Sequence, residues 1–156
     1  MELIFDNVHY SYEKNGLMAL AGVSLCFHRG ERIALIGRNG CGKSTLMLHA
    51  NGILRPQQGE LSLDGQLVRY DRQSLIHLRQ TVGIVFQNPE EQLFSASVLQ
   101  DLSFGPLNLG LSEDEVRNRV NQVASLCELT PLLDRPTHAL SGGEKTRAAL
   151  AGVLAM

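Results

Sequence analysis

Eight consecutive residues, Gly37-Arg38-Asn39-Gly40-Cys41-Gly42-Lys43-Ser44, place glycine, lysine and a hydroxyl at the spacing G-x-x-x-x-G-K-[ST]. Glycines admit positive φ, so successive backbone N–H groups can turn toward one anion. A helix opening directly after the loop aims its free N–H groups and positive dipole end at the same point. Lys43 adds a mobile ammonium for β- and γ-phosphates, and Ser44 adds a hydroxyl ligand for Mg²⁺. The predicted chemistry is therefore the binding of a nucleoside triphosphate with Mg²⁺, with Thr45 closing the segment. From residue frequencies, a chance match in a chain this long is roughly one in a few hundred. A ligand-free glycine-rich turn is the bland alternative, and it would leave Lys43 without an anion at a buried turn.

The loop needs elements that hold it. Ile33-Ala34-Leu35-Ile36 is a continuous apolar run, expected to be a parallel strand buried on both faces and leading into Gly37. Residues 43–50 read as a helix, stopped by Asn51-Gly52. Residues 3–10 read as a strand with Leu3 and Phe5 on one face, followed by turn chemistry at Glu13-Lys14-Asn15-Gly16. Residues 23–27 alternate as a half-buried strand closed by Arg29-Gly30. Residues 60–63 and 66–68 form a hairpin about Asp64-Gly65. Residues 82–86 are expected to be a second buried strand ending at Gln87.

From Asn88 to about Thr137 the pattern turns helical. Ser112 and Glu115 make a capping box, after which Val116, Val120, Val123 and Cys127 share one helix face. Ser141 and Glu144 make a second box, opening a helix with Ala148, Ala149, Leu150, Val153 and Leu154.

Composition bounds the partners. The 156 residues suit one domain, and 44% hydrophobic with 19% charged residues is ordinary for a soluble globular chain. A net charge of −2 without a basic block gives no reason to expect nucleic acid. Met1-Glu2-Leu3 lacks the start of a signal peptide, and the apolar stretches 18–27 and 148–156 are about half a membrane span. Any membrane association is expected to go through a partner protein. Cys26, Cys41 and Cys127 lie far apart without zinc-type spacing, which suits a reducing compartment. His9, His28, His49, His77 and His138 show no ligand spacing and read as surface or structural. Cys41, in the anion loop beside Lys43, is open to two readings: an activated thiolate whose alkylation would block ATP, or a small space-filler.

Leu140-Ser141-Gly142-Gly143-Glu144 resembles the signature sequence of ABC-type ATPases. Two glycines beside a serine N-cap leave a bare, positive helix end open to an anion. A plain capped helix start explains this segment equally well in isolation, but less well downstream of a phosphate loop. Tyr12 is similar to the aromatic that stacks on adenine in that family, with Tyr10 as competitor and a core aromatic as the plain alternative. Gln87 matches the glutamine that touches Mg²⁺ and the attacking water, and is otherwise a polar strand end. Residues 86–94, 104–111 and 113–120 resemble the cobalt, nickel and vitamin transporters of the energy-coupling-factor group. Packing is the alternative there, since Gly-Pro can end a helix and apolar spacing can bury a face.

The resemblance implies an α/β fold: a P-loop NTPase core of the ABC type with an antiparallel β part and an inserted helical subdomain. It implies a division into a nucleotide-binding core (1–87) carrying the phosphate loop and the Gln87 loop, a helical subdomain (88–137), and the signature with its helix (138–156). ATP and Mg²⁺ are the implied ligands. ATP is assigned to Tyr12, Gly37, Arg38, Asn39, Gly40, Cys41, Gly42, Lys43, Ser44, Thr45, Ser141, Gly142, Gly143 and Glu144. Lys43 and Gln87 carry catalysis, and Ser44 and Gln87 the metal. Two copies, or this chain and a paralogous ATPase subunit, pair head to tail. Ser141 and Gly143 of one then face the γ-phosphate held by Lys43 of the other. Integral membrane transporter subunits are the further partners, at the cytoplasmic face of the membrane.

The implied function is that of an ATP-binding subunit of an ABC-type importer, with cobalt or nickel as the expected cargo. The alternatives are a nucleotide-binding fragment without turnover and a soluble ABC-type ATPase of DNA repair or translation. The family's Asp-Glu strand end and its later histidine have no counterpart before Met156, so the chain reads as truncated, lacking the C-terminal part of the core. Residues 152–156 read as an apolar helix tail without polar closure. Nucleotide binding with poor hydrolysis is expected, as no general base is in place, together with marginal stability from exposed apolar faces.

Overall fold

Leu3 and Phe5 sit on the buried face of the first strand, β1 (Glu2–Tyr10), as alternation requires. Val8 breaks that alternation and is nonetheless fully buried. A bulge explains it: Asn7 has φ 47° and the pairing register shifts between Phe5 and Val8, turning Val8 onto the core side. The computed structural model describes residues 1–14 and 16–156, which divide into two compact units, Met1–Val82 and Gly83–Met156.

In the first unit β1 pairs antiparallel with β2 (Leu20–His28) on one side and β3 (Gln58–Leu63) on the other. β3 continues by hairpin into β4 (Gln66–Leu67), so the sheet order is β2-β1-β3-β4. Asp64 and Gly65 make the turn at φ 49° and 76°, both positive as the tightest hairpin connection demands. The turn expected at Glu13–Gly16 includes Asn15, which lies outside the described residues; beside it the Gly16 N–H donates to the Glu13 carbonyl at 3.1 Å.

Helix α1 (Lys43–Ala50) runs as expected and stops at Asn51 and Gly52, with Gly52 at φ 70°. Helix α2 (Arg72–Thr81) has no counterpart among the expected elements. Asp71 caps it, accepting from the Ser74 N–H at 2.9 Å, and Leu78 is its one fully buried residue. Leu46 of α1 and Leu78 of α2 join Leu3, Phe5, Val8, Leu20, Leu61, Leu63 and Val68 in one apolar core.

The two expected buried strands do not form. Residues 33–36 have no ladder, and Ile33 is 50% and Ile36 93% exposed. Residues 83–86 are likewise irregular, and Val82 ends α2. A parallel strand needs neighbours to take its slanted N–H and C=O bonds, and no described strand runs beside either segment. The Phe86 N–H is satisfied instead by the Gln92 side chain at 3.1 Å.

The second unit is helical. α3 (Val98–Asn108) starts at Ser97, α4 (Glu113–Leu126) at Ser112 and α5 (Gly142–Leu154) at Ser141. Both capping boxes form as read. Val116, Val120, Val123 and Cys127 are buried together with Val98, Leu102, Ala148 and Ala151. Gly105-Pro106 does not end α3: Pro106 stands inside it and the chain turns at Gly110, φ 77°. Leu150 and Leu154 are exposed; the residues α5 buries are Ala148, Ala149 and Ala151. The apolar tail does have polar closure: Arg119 donates to the carbonyls of Ala155 at 3.2 Å and Met156 at 2.8 Å.

Candidate nucleotide site

The phosphate loop of the first unit is a backbone cradle held in shape by its own lysine. The Lys43 ammonium donates to the carbonyls of Gly37 and Arg38, each at 2.8 Å, and lies 3.6 Å from the Cys41 sulfur. Gly40 and Gly42 take φ 81° and 93°. Gly42 is the N-cap of α1, and no side chain caps that helix or places an acid in its first turn. The first N–H groups of α1 are therefore open to an external anion. A Cβ on Gly42 would meet the Ala19 carbonyl oxygen at 2.3 Å, and one on Gly37 would meet the Cys41 sulfur at 2.7 Å. A Cβ on Gly40 would meet nothing within 4 Å.

Arg38, Asn39, Cys41 and Ser44 are exposed, while Thr45 is buried. Thr45 Oγ1 lies 3.1 Å from the Tyr12 hydroxyl. Tyr12 is 62% exposed and meets Tyr10 edge-on at 5.1 Å. Tyr10 in turn lies edge-on to His49 at 4.8 Å, within the core side of the unit. Of the two tyrosines, Tyr12 has a face available to a ligand.

His49 supports this arrangement from below. It is fully buried, and its Nδ1–H donates to the Thr45 carbonyl at 2.7 Å. Burial pushes its pKa down, which favours the neutral ring, and among the described residues its Nε2 has no hydrogen-bond partner. Spacing in the sequence offered no role for it beyond a structural one.

In the second unit Ser141 accepts from the Glu144 N–H at 3.4 Å, and Glu144 accepts from the Ser141 N–H at 2.7 Å. That backbone bond, with the Ser141 hydroxyl and nearby arginines, holds the Glu144 carboxyl below the usual range. Arg135 stands 3.7 Å from it. A Cβ on Gly142 or Gly143 would meet nothing within 4 Å. Packing within the chain thus does not require glycine there, and the bare backbone is accessible to something large.

Gln87 is exposed at a bend. Gln92 ties its neighbourhood together, accepting from the Phe86 N–H and donating to the Ala149 carbonyl at 3.4 Å. Lys145 pairs with Glu90. The Gln92–Ala149 and Lys145–Glu90 contacts span 57 and 55 residues, so spacing along the chain gives no sign of either. Phe94 and Phe104 meet edge-on at 4.7 Å and are both exposed. Cys26 and His28, which chain spacing gives no metal role, stand with Glu2 in one cluster on the sheet.

A family model described as ABC transporter matches residues 20–156. The energy-coupling factor transporter ATP-binding protein EcfA of Methanothermobacter thermautotrophicus is 53% identical over 150 residues, 96% of this chain and 48% of that protein. The cobalt import ATP-binding protein CbiO of Rhodobacter capsulatus is 51% identical over 141 residues, 90% of this chain and 50% of that protein. The solved structure of CbiO1 from Clostridium perfringens, described as part of the ABC transporter complex CbiONQ, superposes with a TM-score of 0.86 at 46% identity. It is matched over 98% of this chain and 61% of its own length. The chain belongs to the ABC transporter family, on its ATP-binding side. It spans about half the length of the curated relatives it matches. Among the described residues, no helix is long and apolar enough to cross a membrane.

Proposed function

We propose that this chain is the nucleotide-seating part of an ATP-binding subunit of an ABC-type importer, with cobalt, nickel or another micronutrient as cargo. The observation that carries the reading is the uncapped N-terminus of α1 beneath a positive-φ glycine loop, with the Lys43 ammonium at its rim. An incoming triphosphate replaces the carbonyls of Gly37 and Arg38 as partner of Lys43 and takes the N–H groups of residues 40–45. Adenine stacks on the free face of Tyr12. Magnesium, when bound, neutralises charge on the phosphates; Ser44 offers it the exposed hydroxyl, and Gln87 is the amide that the family pattern assigns to it.

Assembly is read from the backbone N–H groups of Gly142 and Gly143, which the Ser141–Glu144 capping box does not engage. In a head-to-tail pair, with a second copy or a paralogous subunit, those groups face the γ-phosphate seated on Lys43 of the other copy. Loss of the γ-phosphate loosens the pair. Integral membrane subunits at the cytoplasmic face receive the motion through the helical unit and the segment after Gln87. The cargo assignment rests on the names of two relatives, a cobalt import ATP-binding protein and an energy-coupling factor transporter ATP-binding protein.

Lys43 is engaged as a donor to two carbonyls and Gln87 is an uncharged amide, so neither is placed to take a proton from water. The chain by itself is therefore a binder with slow turnover. Calorimetric titration with ATP-Mg, beside a phosphate-release assay, tests both parts. Saturable binding with little Mg²⁺-dependent phosphate release is the expected pair of results; no heat of binding would overturn the function, and rapid release would overturn the slow turnover.

A further inference from the structure

Glu2, Cys26 and His28 are separated in sequence and joined by strand register. In the β1–β2 ladder Glu2 sits directly opposite His28, and Ile4 opposite Cys26. Cys26 and His28 are two residues apart on β2, so they share one face, and Glu2 lies beside both. That face is the one away from the core: Phe27, between them, packs toward the buried cluster. β2 is also an outer strand of the sheet, which leaves the cluster open to solvent.

The donor atoms form a small triangle. Cys26 Sγ lies 3.5 Å from Glu2 Oε1 and 3.8 Å from His28 Nδ1, and His28 Nδ1 lies 3.2 Å from Glu2 Oε1. A tetrahedral ion with ordinary Zn–S, Zn–N and Zn–O bonds requires donors about 3.3–3.6 Å apart on each face. The three edges straddle that span, so small side-chain rotations seat an ion without moving backbone. The donor set is one thiolate, one imidazole and one carboxylate. That combination suits zinc, cobalt(II) or nickel(II), and does not suit Mg²⁺ or Ca²⁺, which take oxygen ligands.

We propose that Glu2, Cys26 and His28 form a transition-metal site on the outer face of the β1–β2 ladder, separate from the magnesium position of the nucleotide loop. The site has three protein donors and a fourth position open to water, so its ion is exchangeable. On binding, the thiol proton leaves to solvent and a metal–sulfur bond replaces the S–H bond to Glu2. The ion then fastens the start of β1 to a strand whose other side, among the described residues, pairs with no strand. The inference does not depend on the nucleotide reading.

The test uses the untagged chain titrated with Co²⁺ in the absence of nucleotide. One ion per chain with a thiolate-to-cobalt charge-transfer band, displaced by Zn²⁺, is the expected result. The band is lost in Cys26→Ser and His28→Gln, is weakened in Glu2→Gln, and is kept in Cys41→Ser. Zn²⁺ should also shield Cys26, and not Cys41, from alkylation in the unsubstituted chain, a readout that needs no variant to fold. A band that survives Cys26→Ser, a band lost with Cys41→Ser, or alkylation of Cys26 at the same rate with and without Zn²⁺ overturns the proposal.

Discussion

The ammonium of Lys43 donates to the carbonyl of Gly37 at 2.8 Å, spanning the mouth of the loop that precedes its own helix. The same group that would grip phosphate thus holds the loop in shape. A hydrogen bond involving a charged group contributes about 1.5–3 kcal/mol, so the exchange of carbonyl for phosphate is favourable only because the anion brings full charge. Lys43→Ala should weaken ATP-Mg binding by at least about tenfold, read by calorimetry, with the far-ultraviolet circular dichroism unchanged. Equal affinity in the variant would remove Lys43 from the site.

Gly42 and Gly40 differ in what surrounds them, and the difference is measurable. Both have positive φ, which costs an L-residue about 1–2 kcal/mol. Only Gly42 also stands against a backbone carbonyl, that of Ala19, at 2.3 Å from a built Cβ. Gly40→Ala should cost about 1 kcal/mol in urea denaturation. Gly42→Ala should cost clearly more and displace the start of α1, so that ATP binding falls with it. Equal losses for the two variants would mean that the loop does not press on Ala19.

These glycines also mark what could be read from the chain alone. The loop, the Asp64-Gly65 hairpin and the caps at Ser112 and Ser141 are local devices, each written in residues a few positions apart, and each formed. The expected strand at residues 33–36 is different in kind. An apolar run reports a tendency to be buried, but a parallel strand exists only where neighbours take its hydrogen bonds, and Ile36 is instead exposed. The burial of Val8 was hidden for a related reason, since it depends on a bulge at Asn7. The Glu2, Cys26 and His28 cluster depends on the β1–β2 register, which no spacing along the chain encodes. Helix α2 carried only one cap, at Asp71, and one buried residue, too weak a pattern to be seen against its polar flanks.

Cys41 lies in the loop with its sulfur 3.6 Å from the Lys43 ammonium, and its side chain is exposed. In the proposed site, a phosphate seated on residues 40–45 would cover that sulfur. Maleimide labelling of Cys41 should therefore be slowed by ATP-Mg, while labelling of exposed Cys26 is not. If nucleotide left both rates unchanged, Cys41 would be outside the bound footprint.

Ser141 and Glu144 close the start of α5 by exchanging two hydrogen bonds. Removing a serine N-cap costs about 1 kcal/mol, so Ser141→Ala should lower the denaturation midpoint modestly. The Glu144 carboxyl is held below its usual range, chiefly by the Ser141 backbone N–H. Its contribution is therefore present above the ordinary glutamate value near 4.5 and is lost as pH falls through the lowered one. Acid titration of Glu144→Gln should show a shallower loss of stability in that window than the parent; parallel curves would mean the box does not form.

His49 acts in the same direction as Glu144, in a higher pH window. It is buried as a neutral ring beneath Thr45, with burial the main cause of its lowered pKa. The unfolded chain takes up a proton near the ordinary value of 6.5, whereas the folded chain resists it. The unfolded state thus binds more protons between the two values. Stability from this group is complete above about pH 6.5 and declines as pH falls toward the folded pKa. Asp101, raised by burial, acts in the reverse sense at its own lower pH, so the comparison must be parent against variant. His49→Gln keeps a donor for the Thr45 carbonyl and removes the titration. Denaturation from about pH 7 to about pH 5.5 should show a falling midpoint in the parent and a flatter one in His49→Gln. Identical slopes would mean that His49 accepts a proton in place, and that the floor beneath Thr45 and the phosphate loop is open to water.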